Sequence, residues 1–478
     1  MSRIAQAIGG VKSAAGYTIL INFLQFASTV VIARSLSNSD YAVISIFLPL
    51  VAALYLFCDA GFTSSIIQTD TKNLEVLSGT VLTISTLVTV LIVVTILMFR
   101  YEISNFFTVE NLETGLLAIS FILLVKMYTA VLASIEVRKM NYRNEVVSRF
   151  IGSLVGTITV FSSMLFDDGL LVVLFAYCIN PLASGLYIIR SNNWKIVSFR
   201  FNKIIFLSIW KYALNLFLSN LLYFFSKSGI NLVAAKLFSG NSYSNYFLAN
   251  QFAGYPRTAF TSIFFNILLS TFSAEQHNQN KLRVHSLVVM KWAGLLICPQ
   301  IIFLILISES LFFFIYGANF KLASEIFNVL GLVVCMSIIG SIPAICLQAV
   351  GSTQFLLRAN IIRVPFIILI ILLFLYLDFG IMTFATLIVM TEIIPLFYLL
   401  EIYRTRLGIK YVELIAHSVL FPIIYAVISS IYHYVFEPTS AVSIIQSYFV
   451  CGLLYVLVLA LVSFRSLLTE LKFIRSKL

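Results

Sequence analysis

Long apolar runs separated by short polar gaps follow one another along the whole sequence. A helix that crosses a bilayer needs about 20 mostly apolar residues, and fourteen runs come close to that length. The pattern therefore predicts an all-α integral membrane protein with about 14 transmembrane helices. The predicted helices span residues 13–33, 41–58, 77–99, 115–135, 148–166, 170–189, 209–232, 244–271, 286–307, 323–349, 361–377, 380–400, 412–434 and 441–463.

The polar gaps alternate in charge along the chain. Every second gap, together with the two terminal segments, holds 23 Lys and Arg residues in total, while the remaining gaps hold only four. Because basic residues collect on the cytoplasmic side of a membrane, we expect both termini to be cytoplasmic. An extra or a missing helix would disturb the alternation in every later gap, so the alternation also supports the helix count. The four basic residues of the opposite gaps are Arg34, Arg100, Lys236 and Lys321.

The composition excludes a soluble enzyme. Hydrophobic residues make up 60% of the 478 positions and charged residues only 11%, against about 25% charged residues in an ordinary soluble domain. The net charge of +11 does not predict a nucleic-acid partner, because the basic residues lie in short gaps and not on a polar domain. The six cysteines lie in apolar stretches without CxxC spacing, so neither a zinc site nor a disulfide framework is expected.

The segment 196–210 mixes aromatic side chains with Arg200 and Lys203. This mixture is typical of an amphipathic helix that lies at the membrane surface. The segment also falls near the middle of the first twelve predicted helices, where a linker between two halves would lie. We therefore predict an interfacial linker helix over residues 191–208.

A weak internal repeat supports this division into halves. Residues 32–41 and 234–243 share a basic residue between small and apolar ones, followed by Ser, Asn, Ser and Tyr, and residues 166–170 resemble 377–381. The repeat places the first six helices over the next six in the same orientation. Transporters built this way relate the halves by an axis along the membrane normal and bind substrate between them. The predicted domains are an N-terminal lobe (1–190), the linker (191–208), a C-terminal lobe (209–403) and helices 13 and 14 with a cytoplasmic tail (404–478).

Four cations lie well inside the predicted helices. A charged side chain at the centre of a membrane helix costs at least about 2.5–3.5 kcal/mol and usually marks a functional site or an ion pair. The one deep acid, Glu392, can neutralise only one of them, so the others need water, carbonyl groups or an anionic ligand. A water-filled cationic cavity for an anionic headgroup such as a pyrophosphate would satisfy them. The predicted cavity residues are Lys126, Lys227, Arg257 and Lys291, with Arg34 near the outer end of the first helix.

These charges also have structural interpretations. Lys291 lies about five residues from the cytoplasmic end of its predicted helix, so its stem could snorkel to the interface. Arg34 lies near the opposite interface, and Glu392 could serve a cation as a structural partner. The sequence contains no metal-ligand spacing, no GxxxxGK[ST] nucleotide loop and no GxSxG nucleophile motif. We therefore expect no metal, no cofactor and no enzymatic activity.

Four stretches of the sequence, taken together in their order and spacing, resemble one family of membrane transporters. The first predicted helix ends in Ala-Arg-Ser-Leu-Ser-Asn-Ser-Asp-Tyr, similar to the opening motif of O-antigen and polysaccharide flippases, with Ala42 where that family favours Gly. The chain is identified as a member of this lipid-linked oligosaccharide flippase branch of the multidrug/oligosaccharidyl-lipid/polysaccharide exporter superfamily. The four stretches are residues 33–41, 59–68, 235–256 and 312–320.

The resemblance implies two six-helix lobes with two further helices. It implies that an undecaprenyl-pyrophosphate-linked oligosaccharide moves from the cytoplasmic to the periplasmic leaflet of a bacterial inner membrane by alternating access. A proton or sodium gradient would drive the cycle, with Asp59 and Glu392 as candidate coupling residues. Many members carry an Asp in helix 7, where this chain has Lys227 and Ile230. The expected partners are the lipid-linked glycan, membrane lipids, a polysaccharide polymerase and a chain-length regulator.

Two other functions compete with the flippase. A multidrug or cation exporter of the same superfamily needs buried acids to bind cationic drugs, and Glu392 is the single deep acid of the sequence. A membrane-embedded glycosyltransferase or polymerase needs a large external loop, and the longest external connections, 100–114 and 308–322, are short. The lipid-linked oligosaccharide flippase is therefore the preferred hypothesis.

Overall fold

The structure of the protein is a computed structural model. Within the described residues the chain is almost entirely helical and contains no β-strand, which confirms the all-α prediction. Contacts divide the chain into two compact units, Met1–Phe247 and Leu248–Leu478, and the lobe boundaries drawn from the repeat stay a prediction. The described residues are 3–69, 73–139, 141–166, 168–191, 197–227, 229–238, 240–352, 354–377, 379–436, 443 and 446–459.

The described part of the first unit contains ten complete helices and the start of an eleventh. Polar side chains cap some of them: Ser37 accepts a hydrogen bond from the backbone of Asp40 at 3.2 Å, which stabilises the free amides at a helix start. The helices are α1 (Arg3–Ser35), α2 (Asn38–Asp59), α3 (Phe62–Gln68), α4 (Leu74–Met98), α5 (Arg100–Phe107), α6 (Leu112–Arg138), α7 (Tyr142–Ser162), α8 (Gly169–Ser191), α9 (Lys203–Lys227), α10 (Gly229–Leu237) and α11 (Gly240–Ala274).

The second unit begins inside α11, and its described part contains nine further helices. Its helices are α12 (Gln279–Trp292), α13 (Cys298–Leu306), α14 (Ser308–Tyr316), α15 (Lys321–Ala349), α16 (Gln354–Tyr376), α17 (Ile381–Leu407), α18 (Tyr411–Ser418), α19 (Leu420–Val435) and α20 (Gln446–Leu459). A π-helical turn, Ala293–Ile297, joins α12 to α13.

Among the residues that the structure describes, eleven helical segments are long and apolar enough to cross a membrane, and α18 with α19 makes a twelfth if this pair, bent by 41°, counts as one span. Each of the fourteen predicted runs falls mainly on helical residues in the parts of it that the structure describes. The chain is therefore a multi-pass membrane protein. The count of 14 spanning helices is not confirmed within the described residues, because α20 is short and α11 is not among the segments that qualify.

The predicted linker helix over 191–208 is wrong for residues 197–202, which are not helical. Residues 192–196 lie outside the described part of the chain. Helix α9 begins only at Lys203 and continues the predicted seventh helix without a separate interfacial element.

The non-helical residues 197–202 contact helix α4 directly. The backbone amide of Asn202 donates to the hydroxyl of Thr80 at 3.2 Å. A Cβ added to Gly79 would lie only 2.8 Å from the carbonyl oxygen of Ser198, so a larger residue there would displace the linker. These backbone contacts with α4 replace the hydrogen bonds that a linker helix would have made within itself.

Small residues allow close helix packing inside the first unit. Helix α7 packs against both α1 and α8. A Cβ added to Gly152 of α7 would lie 2.6 Å from the carbonyl oxygen of Asn180 in α8. Hydroxyl groups bridge α7 to α1, where Ser28 donates to Thr157 at 2.9 Å. Small and polar residues of this kind are the usual contacts between membrane helices, because lipid provides no hydrophobic force that would bring apolar helices together.

In the second unit the π-helical turn lies beside the bend between α18 and α19. A Cβ added to Gly294 would lie 3.3 Å from the carbonyl oxygen of Ser418. The hydroxyl of Tyr455 in α20 lies 3.3 Å from the carbonyl oxygen of Leu295. The last three helices of the described chain therefore pack on the irregular part of α12 and α13, and their core includes Phe303, Phe421, Tyr425 and Cys451.

Candidate functional site

Lys126 lies in the middle of α6 beside an aromatic ring of α2. Its Nζ atom is 4.2 Å from the ring centroid of Tyr55, a distance at which a cation is attracted by the negative face of the ring. No ion pair joins Lys126 to a carboxylate within the described part of the chain. The first unit therefore holds a half-buried ammonium group whose described contact is aromatic.

Polar side chains of α2 and α4 are buried in the first unit. Cys58 on α2 and Thr89 on α4 are both fully buried. Ser85 is also fully buried, one turn before Thr89, and accepts a hydrogen bond from the Thr89 hydroxyl through its carbonyl oxygen at 2.7 Å. Cys58 follows Tyr55 by one helical turn, so α2 carries a buried thiol on the same side as the ring that contacts Lys126.

Asp59, a predicted coupling residue, has a structural contact. Its Oδ1 atom accepts a hydrogen bond from the backbone amide of Thr63 at 3.2 Å. The turn between α2 and α3 contains two left-handed residues, Ala60 at φ +42° and Gly61 at φ +77°. A Cβ on Gly61 would lie 2.6 Å from the carbonyl oxygen of Ala213. Asp59 thus stabilises a tight turn against which α9 packs, and its role in ion coupling stays a prediction.

The other predicted cations of the first unit lie at helix ends. Arg34 is exposed in the last turn of α1. Lys227 is the last residue of α9, immediately before the break that separates α9 from α10, and its side chain lies outside the described residues. Lys126 therefore differs from Arg34 and Lys227, because it lies at the centre of its helix and they lie at helix ends.

The second unit contains a buried ion pair that the sequence analysis missed. Arg363 Nη2 lies 2.7 Å from Glu392 Oε2, and its Nη1 donates to Asn360 Oδ1 at 3.3 Å. Arg363 is only 6% exposed. Helix α16 starts at Gln354, seven residues before the predicted start at 361. Arg363 therefore lies in the third turn of the helix, although it was not among the predicted deep cations.

This ion pair answers the question of which cation Glu392 neutralises. Glu392 was predicted to pair with one of the four deep cations, and in the structure it pairs with Arg363. Removing either charge would leave the other buried, and such a group costs far more than an exposed one. Ion coupling through Glu392, which stays a prediction, would have to act on a carboxylate that already has a counter-ion.

The two remaining predicted cations also lie in the second unit. Lys291 is 6% exposed and its Nζ is 5.9 Å from the ring centroid of Phe421. It lies one residue before the end of α12, next to the π-helical turn, and π-helical turns are common at functional sites. Arg257 is exposed on α11 beside Pro256. The predicted cavity residues are thus divided between the two units.

A further buried acid lies at the end of α6. Glu136 is 1% exposed and accepts hydrogen bonds from Asn141 at 2.8 Å and from Asn144 at 3.2 Å. Lys139 lies 3.4 Å from the same carboxylate. Glu136 therefore stabilises the connection between α6 and α7. In the sequence Glu136 lies beside the basic residues of a polar gap. The apolar pattern there does not indicate that the acid is buried.

A family model described as "Polysaccharide biosynthesis protein" matches residues 31–325, more than half of the chain. The succinoglycan biosynthesis transport protein ExoT of Rhizobium meliloti (strain 1021) is 20% identical over 311 residues, which are 65% of this chain. The match spans 62% of that relative's own length.

Two solved structures have a similar fold. A lipid II flippase, MurJ, in an inward closed conformation superposes with a TM-score of 0.73 at 19% identity, over 95% of this chain and 99% of the other. An inward-facing multidrug resistance MATE family transporter of the MOP superfamily superposes with a TM-score of 0.64 at 16% identity, over 81% of this chain and 94% of the other. The chain thus has the fold of MOP superfamily transporters.

Proposed function

The chain belongs to the family of polysaccharide biosynthesis proteins, and we propose that it is a flippase for a lipid-linked oligosaccharide. The substrate would be an undecaprenyl-pyrophosphate-linked repeat unit, moved from the cytoplasmic to the periplasmic leaflet of a bacterial inner membrane. The family match over residues 31–325, the relative in succinoglycan transport and the fold shared with a lipid II flippase support this proposal.

The observation that carries the substrate chemistry is the environment of Lys126. An intramembrane ammonium group is costly unless a counter-charge or a polar ligand stabilises it. Its described neighbour is the face of Tyr55 at 4.2 Å, which orients the ammonium group without neutralising it. A pyrophosphate carries the negative charge that would complete the site. Lys126 is therefore the best-supported member of the predicted cationic cavity.

In this proposal the charged headgroup is bound by the protein while the polyprenyl chain stays in the lipid. Lys126 would bind the pyrophosphate during the passage of the sugars, and the interaction must be weak enough to release the substrate on the other side. A single ammonium group held by an aromatic ring meets this requirement better than a bidentate Arg cluster, which binds phosphate with fixed geometry. Alternating access driven by a proton or sodium gradient belongs to the same proposal.

A multidrug exporter is the second candidate, because the fold is also that of MATE transporters. Cationic drugs would need an acid with no counter-ion. The Glu392 carboxylate already lies 2.7 Å from Arg363, which disfavours drug binding at that position. Drug resistance that depends on Glu392, in cells whose polysaccharide is unaffected, would favour this alternative.

The first experiment deletes the gene and measures surface polysaccharide together with the lipid-linked precursor. We expect polysaccharide to disappear and the precursor to accumulate in the cytoplasmic leaflet. The second experiment complements the deletion with Lys126→Ala, and we expect export to fall roughly tenfold or more, as for the loss of a charged contact. Lys126→Arg should retain part of the activity.

The matched control is Lys321→Ala, which removes an exposed lysine paired with Glu309 at 3.1 Å and should leave export unchanged because exposed ion pairs contribute little. Normal polysaccharide after gene deletion would overturn the flippase function. Normal export by Lys126→Ala, at equal protein level, would overturn the role of Lys126 and leave the function standing.

A further inference from the structure

Two exposed arginines of the second unit lie beside the same aromatic ring. Phe355, in the first turn of α16, is buried. The Cζ atom of Arg358, one turn further along α16, is 5.7 Å from the centroid of this ring. The Cζ atom of Arg406, in the last turn of α17, is 5.2 Å from the same centroid. A cation within about 6 Å of an aromatic centroid is attracted by the ring, so Phe355 holds two positive charges from two helices close together.

No acid of the neighbouring helices is available to these two arginines. Helix α16 contains no Asp or Glu, and each acid of α17 and α18 binds a different arginine. These pairs are Glu392 with Arg363 at 2.7 Å, Glu401 with Arg404 at 2.9 Å and Glu413 with Arg283 at 2.6 Å. Within the described residues no ion pair joins Arg358 or Arg406 to a carboxylate. Two like charges beside one ring repel each other, and an anion bound between them would remove that cost.

A purely structural explanation covers only one of the two arginines. Arg406 lies near the carboxyl end of α17, where the free carbonyl groups of a helix favour a cation. Arg358 lies in the second turn of α16, and the residues three and four positions away from it are one glutamine, one phenylalanine and two isoleucines, so it forms no ion pair along its own helix. A guanidinium group matches the oxygen atoms of a phosphate, which it binds through two parallel hydrogen bonds. Two such groups from two helices therefore fit a phosphate.

An exposed apolar face of α16 begins at Arg358. At the pitch of an α-helix, Ile361, Leu369 and Leu372 all lie within about 60° of Arg358 around the helix axis. Their side chains are exposed, and at a rise of about 1.5 Å per residue they continue the face about 21 Å beyond Arg358. One leaflet of a bilayer contributes about 15 Å of hydrocarbon. The face is therefore long enough for the acyl chains of a lipid, which a free phosphate ion would not need.

We propose that Arg358 and Arg406 bind the phosphate group of an anionic phospholipid such as phosphatidylglycerol. Phe355 positions the two guanidinium groups, and the acyl chains lie along the exposed face of α16. With the orientation derived from the basic residues, the site lies in the cytoplasmic leaflet, where basic groups between membrane helices attract anionic headgroups. The bound phosphate joins the ends of α16 and α17. This site belongs to the second unit and Lys126 to the first, so the proposal does not rest on the transported substrate.

The first test measures the melting temperature of the purified protein in a neutral detergent. A ligand that binds only the folded state raises this temperature as its concentration increases. We expect a rise with phosphatidylglycerol, and none with phosphatidylcholine, whose headgroup has no net charge, or with inorganic phosphate, which has no acyl chains. Equal shifts with the two lipids would overturn the proposal. A full shift with inorganic phosphate would show that a free ion occupies the site, and would also overturn it.

The decisive variant is Arg358→Gln/Arg406→Gln. Its apparent affinity for phosphatidylglycerol should fall at least roughly tenfold, because two charge-assisted contacts are lost. In detergent without added lipid its melting temperature should equal that of the wild type, since both side chains are exposed. Arg358→Lys should keep part of the affinity, because an ammonium group retains the charge and loses the two parallel hydrogen bonds. Equal affinities of the wild type and the double variant would overturn the site.

The matched control is Arg149→Gln, which removes an exposed arginine of α7 that lies 2.7 Å from Glu145. This variant should bind phosphatidylglycerol as the wild type does. A loss of affinity as large as that of Arg358→Gln would show that net charge, and not a site, attracts the lipid.

A second measurement counts the phosphatidylglycerol molecules that stay bound to the intact protein in native mass spectrometry. The double variant should retain one molecule fewer than the wild type, and an unchanged number would overturn the proposal. Neither assay measures export, so failure of the lipid site and failure of the flippase function can be told apart.

Discussion

Two intramembrane cations, one in each unit, have opposite environments. Arg363 of α16 is buried with Glu392 of α17 at 2.7 Å, while Lys126 of α6 lies over the ring of Tyr55 at 4.2 Å. The residue types agree with these roles. A guanidinium group forms several directed hydrogen bonds to a carboxylate, whereas an ammonium group on a flexible stem can exchange one partner for another.

The difference separates two uses of charge inside a membrane. A cation with a built-in carboxylate is neutral as a pair and contributes to helix–helix contact. A cation whose described neighbour is an aromatic ring keeps its charge available for an anionic ligand. Position in the sequence alone does not distinguish a cation that pairs with a carboxylate from one that lies beside an aromatic ring. The sequence presented Glu392 as a coupling candidate and gave no sign of its ion pair with Arg363.

The largest expected effect comes from breaking the Arg363–Glu392 pair. Arg363→Leu should lower the free energy of unfolding by about 3–5 kcal/mol, because the buried Glu392 carboxylate would lose the guanidinium group that lies 2.7 Å from it. Thermal unfolding of the purified protein in detergent measures this effect. The double variant Arg363→Leu/Glu392→Leu should recover most of the lost stability.

The control on the same helix is Arg358→Leu, which replaces an exposed residue and should change the melting temperature little. If the double variant is no more stable than the single one, the pair is not the stabilising contact described above. If the double variant is stable and still exports polysaccharide, Glu392 is not required for ion coupling.

A smaller effect is expected at Asp59, which lies in the first unit, as Lys126 does. Asp59→Ala removes the acceptor for the Thr63 amide and should cost about 0.5–2 kcal/mol of stability, as for other helix caps. Asp59→Asn keeps the acceptor and should keep both stability and export. A stable Asp59→Asn protein that fails to export would show that the negative charge is needed, and would favour ion coupling at this residue.

The smallest effect is expected at Tyr55. Tyr55→Leu removes the ring beneath Lys126 and should reduce export roughly two- to fivefold, which corresponds to a cation–π contact of about 0.5–1 kcal/mol. Tyr55→Phe retains the ring and should export nearly as well as the wild type. Equal export by the Leu and wild-type proteins in the polysaccharide assay would show that the ring does not position Lys126.

Much of the fold could be predicted because membrane helices follow from local rules. A backbone in lipid must form its own hydrogen bonds, so a long apolar run becomes a helix wherever it occurs. The linker prediction failed for a related reason. Residues 197–202 bind Gly79 and Thr80 of α4, and no pattern within the linker itself records that contact.

The sequence by itself determined that this is a multi-pass α-helical membrane protein and which family it resembles. Only the tertiary structure decided which charge has a partner, since Glu392 lies 29 positions from Arg363. It also decided that the two repeat copies meet, where Tyr243 reaches a carbonyl group 198 positions earlier. Helix formation depends on neighbours within a few residues, whereas ion pairing and helix contact depend on which distant segments fold side by side.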